Sequence, residues 1–182
     1  TFAGIVTDLR VINGQRGKLA LFKLDDKTAV VEAAADEAVL NACKGLLKED
    51  ELLIISGKLQ RDRFSGGMRL NVQQVWDLPT ARCRFGRFLR VVVGAQAPDA
   101  GDVARLVRDF PPRREVLEEG GETLQFGLEV RLALQCTAPQ GRAAVELSLG
   151  EKGRIYPTDA ALASWLAQAE QGQATIVYDP DA

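Results

Sequence analysis

Between residues 2 and 78 a single helical segment interrupts a series of strand-like ones, and its position restricts the possible folds more than any other feature of the chain. Residues 2–11 are β-branched and apolar with polar interruptions, the pattern of a long first strand. Asn13, Gly14 and Gly17 mark a turn, residues 19–24 alternate as a second strand closed by Asp25 and Asp26, and residues 28–34 form a third. Asp36 then stands where an N-cap belongs. Over residues 37–47, Val39, Leu40, Cys43, Leu46 and Leu47 recur at helical spacing. A continuous apolar strand follows at residues 52–59, then a loop at residues 64–67 and a fifth strand at residues 69–78.

The order β-β-β-α-β-β, with the helix between the third and fourth strands, is that of the OB barrel, which removes sheet edges by closing on itself. Pro79 cannot donate to a ladder and ends this module, giving an OB domain over residues 1–79. Residues 80–88 read as a linker or short helix bearing arginines. Beyond them the pattern predicts a strand at 88–93, a helix at 99–110, a polar loop to 122, strands at 123–135 and 142–149, a helix at 157–169 and a strand at 174–178. That is a β-α-β-β-α-β domain over residues 80–182, with the split βαβ order of ferredoxin-like folds expected. The whole is an α+β chain.

Several chemistries are disfavoured by what the chain lacks. It contains no histidine, and its three cysteines, Cys43, Cys83 and Cys136, lie far apart, so neither a metal site nor histidine-based acid–base catalysis is expected. The cysteines read as small buried hydrophobes in a reducing, cytoplasmic setting. No phosphate-binding glycine loop and no G-x-S-x-G elbow occur, and no cofactor is expected. Asp25-Asp26, an adjacent acidic pair at a strand end, reads as a turn that bonds its own backbone. No apolar run is long enough for a membrane span, and the opening residues show no secretory pattern. A chain that opens inside a strand suggests a piece of something longer.

The net charge of −2 conceals an asymmetry. Arginines at 82, 84, 87, 90, 105, 108, 113 and 114 precede a stretch rich in glutamate from 115 onward, as faces with different partners would. OB barrels bind nucleic acid along strands 2 and 3, flanked by the loops joining strands 1–2 and 4–5. The first loop offers Arg16 and Lys18, and the second offers Arg61, Arg63, Phe64 and Arg69. Cations there would follow phosphates, while Phe64 could stack a base. Along the second strand Lys23 points outward with Leu19 and Leu21, which sends Phe22 into the core. With no aromatic on the third strand, single-strand binding is expected to be weak and mainly electrostatic.

Taken together, these residues resemble the C-terminal region of bacterial DNA polymerase III alpha subunits. The resemblance runs through Ala3-Gly4-Ile5-Val6, Arg16-Gly17-Lys18, Leu24-Asp25-Asp26, Leu47-Lys48-Glu49-Asp50, Leu53-Ile54-Ile55-Ser56-Gly57 and Phe64-Ser65-Gly66-Gly67. It continues past the barrel to Arg154-Ile155-Tyr156-Pro157-Thr158-Asp159, covering essentially the whole chain. It implies that the polymerase palm lies elsewhere, so that this portion is not itself catalytic although the full-length protein is a nucleotidyltransferase. It further implies an OB domain that engages single-stranded DNA and a following domain that binds the tau subunit of the clamp loader. The DNA-side residues would be Arg16, Lys18, Lys23, Arg61, Arg63, Phe64 and Arg69, and the tau-side residues Trp165, Leu166, Tyr178 and Asp179. Many members carry an aromatic near Leu21 and another where this chain has Asp36, and both departures remove stacking surface. Two other readings stay open: an OB module that recognises tRNA anticodons, and a structural barrel that binds no nucleic acid.

Overall fold

The structure, a computed structural model, describes residues 1–14, 17–43, 45–62, 66–94, 98–116, 123–139 and 141–179. The chain divides into two compact units, Thr1–Leu78 and Pro79–Ala182. The first is a closed barrel of β1 (Phe2–Gly14), β2 (Gly17–Asp25), β3 (Val30–Asp36), β4 (Leu52–Arg61) and β5 (Met68–Trp76), ordered β1-β2-β3-β5-β4. Three parallel pairs between β3 and β5, from Glu32↔Arg69 to Ala34↔Asn71, complete the ring. All other neighbours in the barrel are antiparallel. Inward-facing Val6, Phe22, Leu24, Leu53, Ile55 and Leu70 fill it, each 3% exposed or less.

The helix between the third and fourth strands, α1 (Glu37–Ala42), starts where the sequence places it, with the Asp36 carboxylate accepting the Val39 N–H at 2.9 Å. It is shorter than expected. Gly45 takes φ +81°, a left-handed conformation that ends helices and that glycine adopts freely. Leu46 and Leu47 still pack on the barrel core, so the apolar spacing reports burial beyond the helix end. The expected Asp25-Asp26 turn is present. Asp25 accepts the Lys27 N–H at 2.7 Å, and Asp26 accepts the Thr28 and Ala29 N–H groups, each at 2.8 Å, along with the Thr28 hydroxyl. These bonds hold Asp26 below its ordinary carboxylate range, the Thr28 hydroxyl contributing most.

The second unit comprises most of α2 (Leu78–Phe85), then β6 (Gly86–Val93), α3 (Ala100–Asp109), a hairpin of β7 (Arg113–Val116) with β8 (Thr123–Phe126), β9 (Glu129–Ala138), β10 (Gly141–Ser148), α4 (Asp159–Leu166) and β11 (Ala174–Tyr178). Asp99 caps α3 and Thr158 caps α4 through their side chains. The β-α-β-β-α-β succession is therefore present, with the β7–β8 hairpin inserted. The single strand expected over 123–135 is broken after Phe126. Gly127 gives its carbonyl to Arg154 at 2.9 Å and Leu128 bridges to Ile155, which separates β8 from β9.

The ferredoxin-like split is not what the sheet shows. Its order is β10-β9-β6-β11, with β6 and β9 adjacent and parallel. Burial explains the choice. Val91, Val92 and Val93 of β6, and Leu132 and Ala133 of β9, are all 6% exposed or less, as suits central strands. Val145 and Leu147 of β10 are 61% and 50% exposed, which suits an edge.

The sheet face bearing Phe88 carries a charge cluster. Arg131 stacks 3.9 Å from the Phe88 ring centroid, donates to Glu129 at 2.8 Å and lies 3.2 Å from Glu146, which also pairs with Arg90 at 3.1 Å. Arg131, and next Ser148, holds the Glu129 carboxyl below its usual range; Arg131 with Arg90 does the same to Glu146. A carboxyl depressed on folding adds stability above its unfolded value, near 4.3, and loses it as pH falls through the lower folded value. Urea midpoints of the chain, followed by circular dichroism, should thus fall between about pH 6 and about pH 3. Arg131→Met should flatten that dependence.

Candidate nucleic-acid interface

On the outside of the barrel, β1, β2, β3 and β5 frame a groove of about 260 Å³ lined by Asp8, Arg10, Leu21, Phe22, Lys23, Glu32, Ala33 and Arg69. A bulge in β1 makes it. The register runs Thr7↔Lys23 and then Arg10↔Leu21, so β1 spends one more residue than β2 between these pairs. Asp8 adopts φ +55° there. The N–H groups of Asp8 and Leu9, displaced from the ladder, donate instead to the two carboxylate oxygens of Glu49 at 2.8 and 2.9 Å. Strict alternation from Val6 would turn Arg10 inward; the bulge turns it outward beside Lys23.

The groove's cations are accompanied by anions. Lys23 Nζ lies 2.7 Å from Asp8, and Arg69 lies 2.8 Å from Asp62 and 3.7 Å from Glu32. Hydrogen bonding and attraction from Lys23 hold the Asp8 carboxyl below its ordinary range, and Asp8 in turn raises Lys23. Among the described residues Arg10 makes no ion pair. A phosphate entering this groove would meet one guanidinium that only attracts Asp8 from a distance and two cations that must be shared with carboxylates.

Of the expected DNA-side residues, Lys23 and Arg69 enter the groove. Lys18 is exposed on β2, and Arg61 donates through Nε to the Gly66 carbonyl at 3.3 Å, bracing the β4–β5 connection. Arg16, Arg63 and Phe64 lie outside the described residues. Phe22 is 3% exposed, facing the core as its alternation requires. Arg10 was absent from the sequence reading because the bulge reverses its parity; Asp8, a residue that tolerates left-handed backbone inside a β-branched strand, was the available signal.

Of the expected tau-side residues, Trp165 is buried and Leu166, Tyr178 and Asp179 are exposed. Trp165 is 0% exposed and belongs to the core of the second unit with Leu89, Val91 and Ile155, so it supports α4 and does not face a partner. Leu166 and Tyr178 are 43% and 49% exposed, while Asp179 pairs with Arg87 across 3.7 Å. Cys43 is buried and Cys83 half-buried. Among the described residues no cluster of three or more cysteines or carboxylates could hold a metal ion, and no helix is long and apolar enough to cross a membrane.

Residues 1–78 match the family described as OB-fold nucleic acid binding domain, which agrees with the closed barrel, its helix and the groove on β2 and β3. This unit has the OB fold and is similar to that family. Over a longer stretch the chain is similar to the alpha subunit of DNA polymerase III. It is 39% identical over 107 residues to that of Neisseria meningitidis serogroup B, a match covering 58% of this chain and 9% of the relative. The alpha subunits of Pseudomonas fluorescens and Vibrio cholerae match 88% and 89% of this chain at 29% and 28% identity, covering 12% and 13% of their own lengths. The chain thus spans about an eighth or less of the curated relatives it matches.

Proposed function

We propose that the chain serves DNA replication in the cytoplasm as a binding portion of a DNA polymerase III alpha subunit, with no nucleotide incorporation of its own. In this reading the barrel holds single-stranded template weakly, through Arg10, Lys23 and Arg69 in the groove and Arg16, Lys18, Arg61, Arg63 and Phe64 at its rim. Residues 80–182 hold the tau subunit of the clamp loader, with Leu166, Tyr178 and Asp179 as contacts, and the rest of the polymerase chain is the other partner. The observation that carries the DNA side is the groove itself, which brings cations together where OB barrels bind.

The test is a titration of the chain into labelled oligothymidylate, read by fluorescence anisotropy at several salt concentrations. Binding should be weak, fall with salt, and tighten several-fold in the Asp8→Asn/Glu32→Gln variant, which frees Lys23 and removes the more distant of the two carboxylates beside Arg69. A competition with tRNA checks the anticodon-type alternative. The carboxylates beside Lys23 and Arg69 favour a second reading, a structural barrel without nucleic acid. That reading wins if neither the parent nor the neutralised variant binds at low salt. On the tau side, calorimetry should show binding that Tyr178→Ala weakens; absence of heat with tau would remove that half of the proposal.

A further inference from the structure

The sheet of the second unit has more apolar face than its helices cover. Leu89, Val91 and Val93 of β6 and Val130 and Leu132 of β9 are 6% exposed or less beneath α3 and α4. Strand pairing carries the same face onto β10, where Val145 stands opposite Leu134 and Leu147 opposite Leu132. There, among the described residues, the cover stops. Val145 and Leu147 are 61% and 50% exposed, and next to them, alongside α3, runs a trough of about 610 Å³. Val103 and Val107 of α3 form one wall and Leu132, Leu134, Leu147 and Leu149 the floor. No residue of α4 lines it, although α3 and α4 touch.

The trough's charges are cationic and confined to its rim. Arg108, whose side chain is 76% exposed, pairs with Asp109 only at 3.9 Å, and Lys152 is exposed with no ion pair among the described residues. Small-molecule sites usually place a few polar groups inside the cavity to orient the ligand. The lining here is apolar apart from these two rim cations, and it continues into the exposed face of an edge strand. A helix laid in the trough would rest on the sheet with α3 as its neighbour, the packing that α3 and α4 already use. Its apolar stripe would meet the floor, and carboxylates flanking that stripe would meet Arg108 and Lys152.

We propose that this trough docks an amphipathic, acid-flanked helix of a protein partner. The site is separate from the barrel groove and from Leu166, which lines a different depression with Leu89, Leu162 and Ile176. It does not depend on the partner being tau.

The test uses the full 182-residue chain and a labelled helical peptide of about 18 residues, with leucines at i, i+3, i+4 and i+7 spacing and glutamates beside them. Its twin carries lysines in place of the glutamates. Anisotropy should show saturable binding of the glutamate peptide, roughly tenfold tighter than the twin at low salt. Leu147→Asp, at an exposed position, should weaken binding roughly tenfold, and Arg108→Glu/Lys152→Glu should reverse the preference between the peptides. Equal binding of both peptides, or affinity untouched by these surface variants, overturns the proposal. So does dodecanoate binding at the trough when the peptide fails, which marks a small-molecule site. A dimer seen by sedimentation and abolished by Leu147→Asp assigns the face to a second copy and also overturns it.

Discussion

Trp165→Ala should lower the stability of the second unit by about 3–5 kcal/mol, while Trp165→Phe should cost no more than about 1–2 kcal/mol. The indole is wholly buried against Leu89, Val91, Val93 and Ile155, so truncation leaves a large cavity that the sheet cannot collapse to fill. Among the described residues its Nε1–H has no hydrogen-bond partner. Phenylalanine loses some packing but also removes that unsatisfied donor, and the two effects oppose one another. Urea unfolding followed by far-ultraviolet circular dichroism measures both. Leu166→Ala and Tyr178→Ala, at exposed positions, should stay within about 0.5 kcal/mol of the parent. An alanine variant at 165 as stable as the parent would contradict the core placement. With the buried role confirmed, any loss of partner binding in Trp165→Ala is an effect of unfolding, and the exposed pair becomes the sound place to probe docking.

Arg10→Ala/Lys23→Ala should reduce affinity for oligothymidylate by roughly tenfold at low salt and lower the slope of log K against log salt by about 1.4. Each single-strand phosphate contact adds about 0.7 to that slope, and these are the two groove cations that can be removed with least harm to the barrel. Arg10 is exposed, and Lys23 pairs with an Asp8 that is 56% exposed at its side chain. Arg69 is a poor choice by comparison, since its guanidinium also pairs with Asp62, whose side chain is only 7% exposed. An unchanged slope in the double variant would show that phosphates pass the groove by. If the rim alone carried the DNA, Lys18→Ala would lower the slope where the groove variant did not.

The barrel was legible because its information is local. Alternation fixed which side of β2 faces inward, as Phe22 and Lys23 show, and the capping carboxylate of Asp36 fixed where α1 begins. The run Asp25 to Ala29 declared its turn through side chains that bond their own backbone. Arg10 was hidden for the opposite reason. Its outward direction depends on a bulge whose N–H groups are satisfied by Glu49, a residue forty positions away whose proximity no local pattern reveals. Trp165 shows a related limit: its helical spacing says that it shares a face with Leu162, but not whether that face meets the sheet or a partner.

Sequence alone determined the α+β class, the order of strands and helix in the first unit, and its closed OB barrel, because period, caps and turn residues act over a few neighbouring positions. Tertiary structure decided which strands lie side by side in the second unit. The same β-α-β-β-α-β succession permits a split crossover or an adjacent one, and the burial of β6 and β9 against the exposure of β10 goes with the latter. It also decided which charges meet in the groove and how much of the β10 face stays uncovered. Those outcomes depend on distances between segments remote in the chain, and contact across such distances is set by the packing of the whole unit.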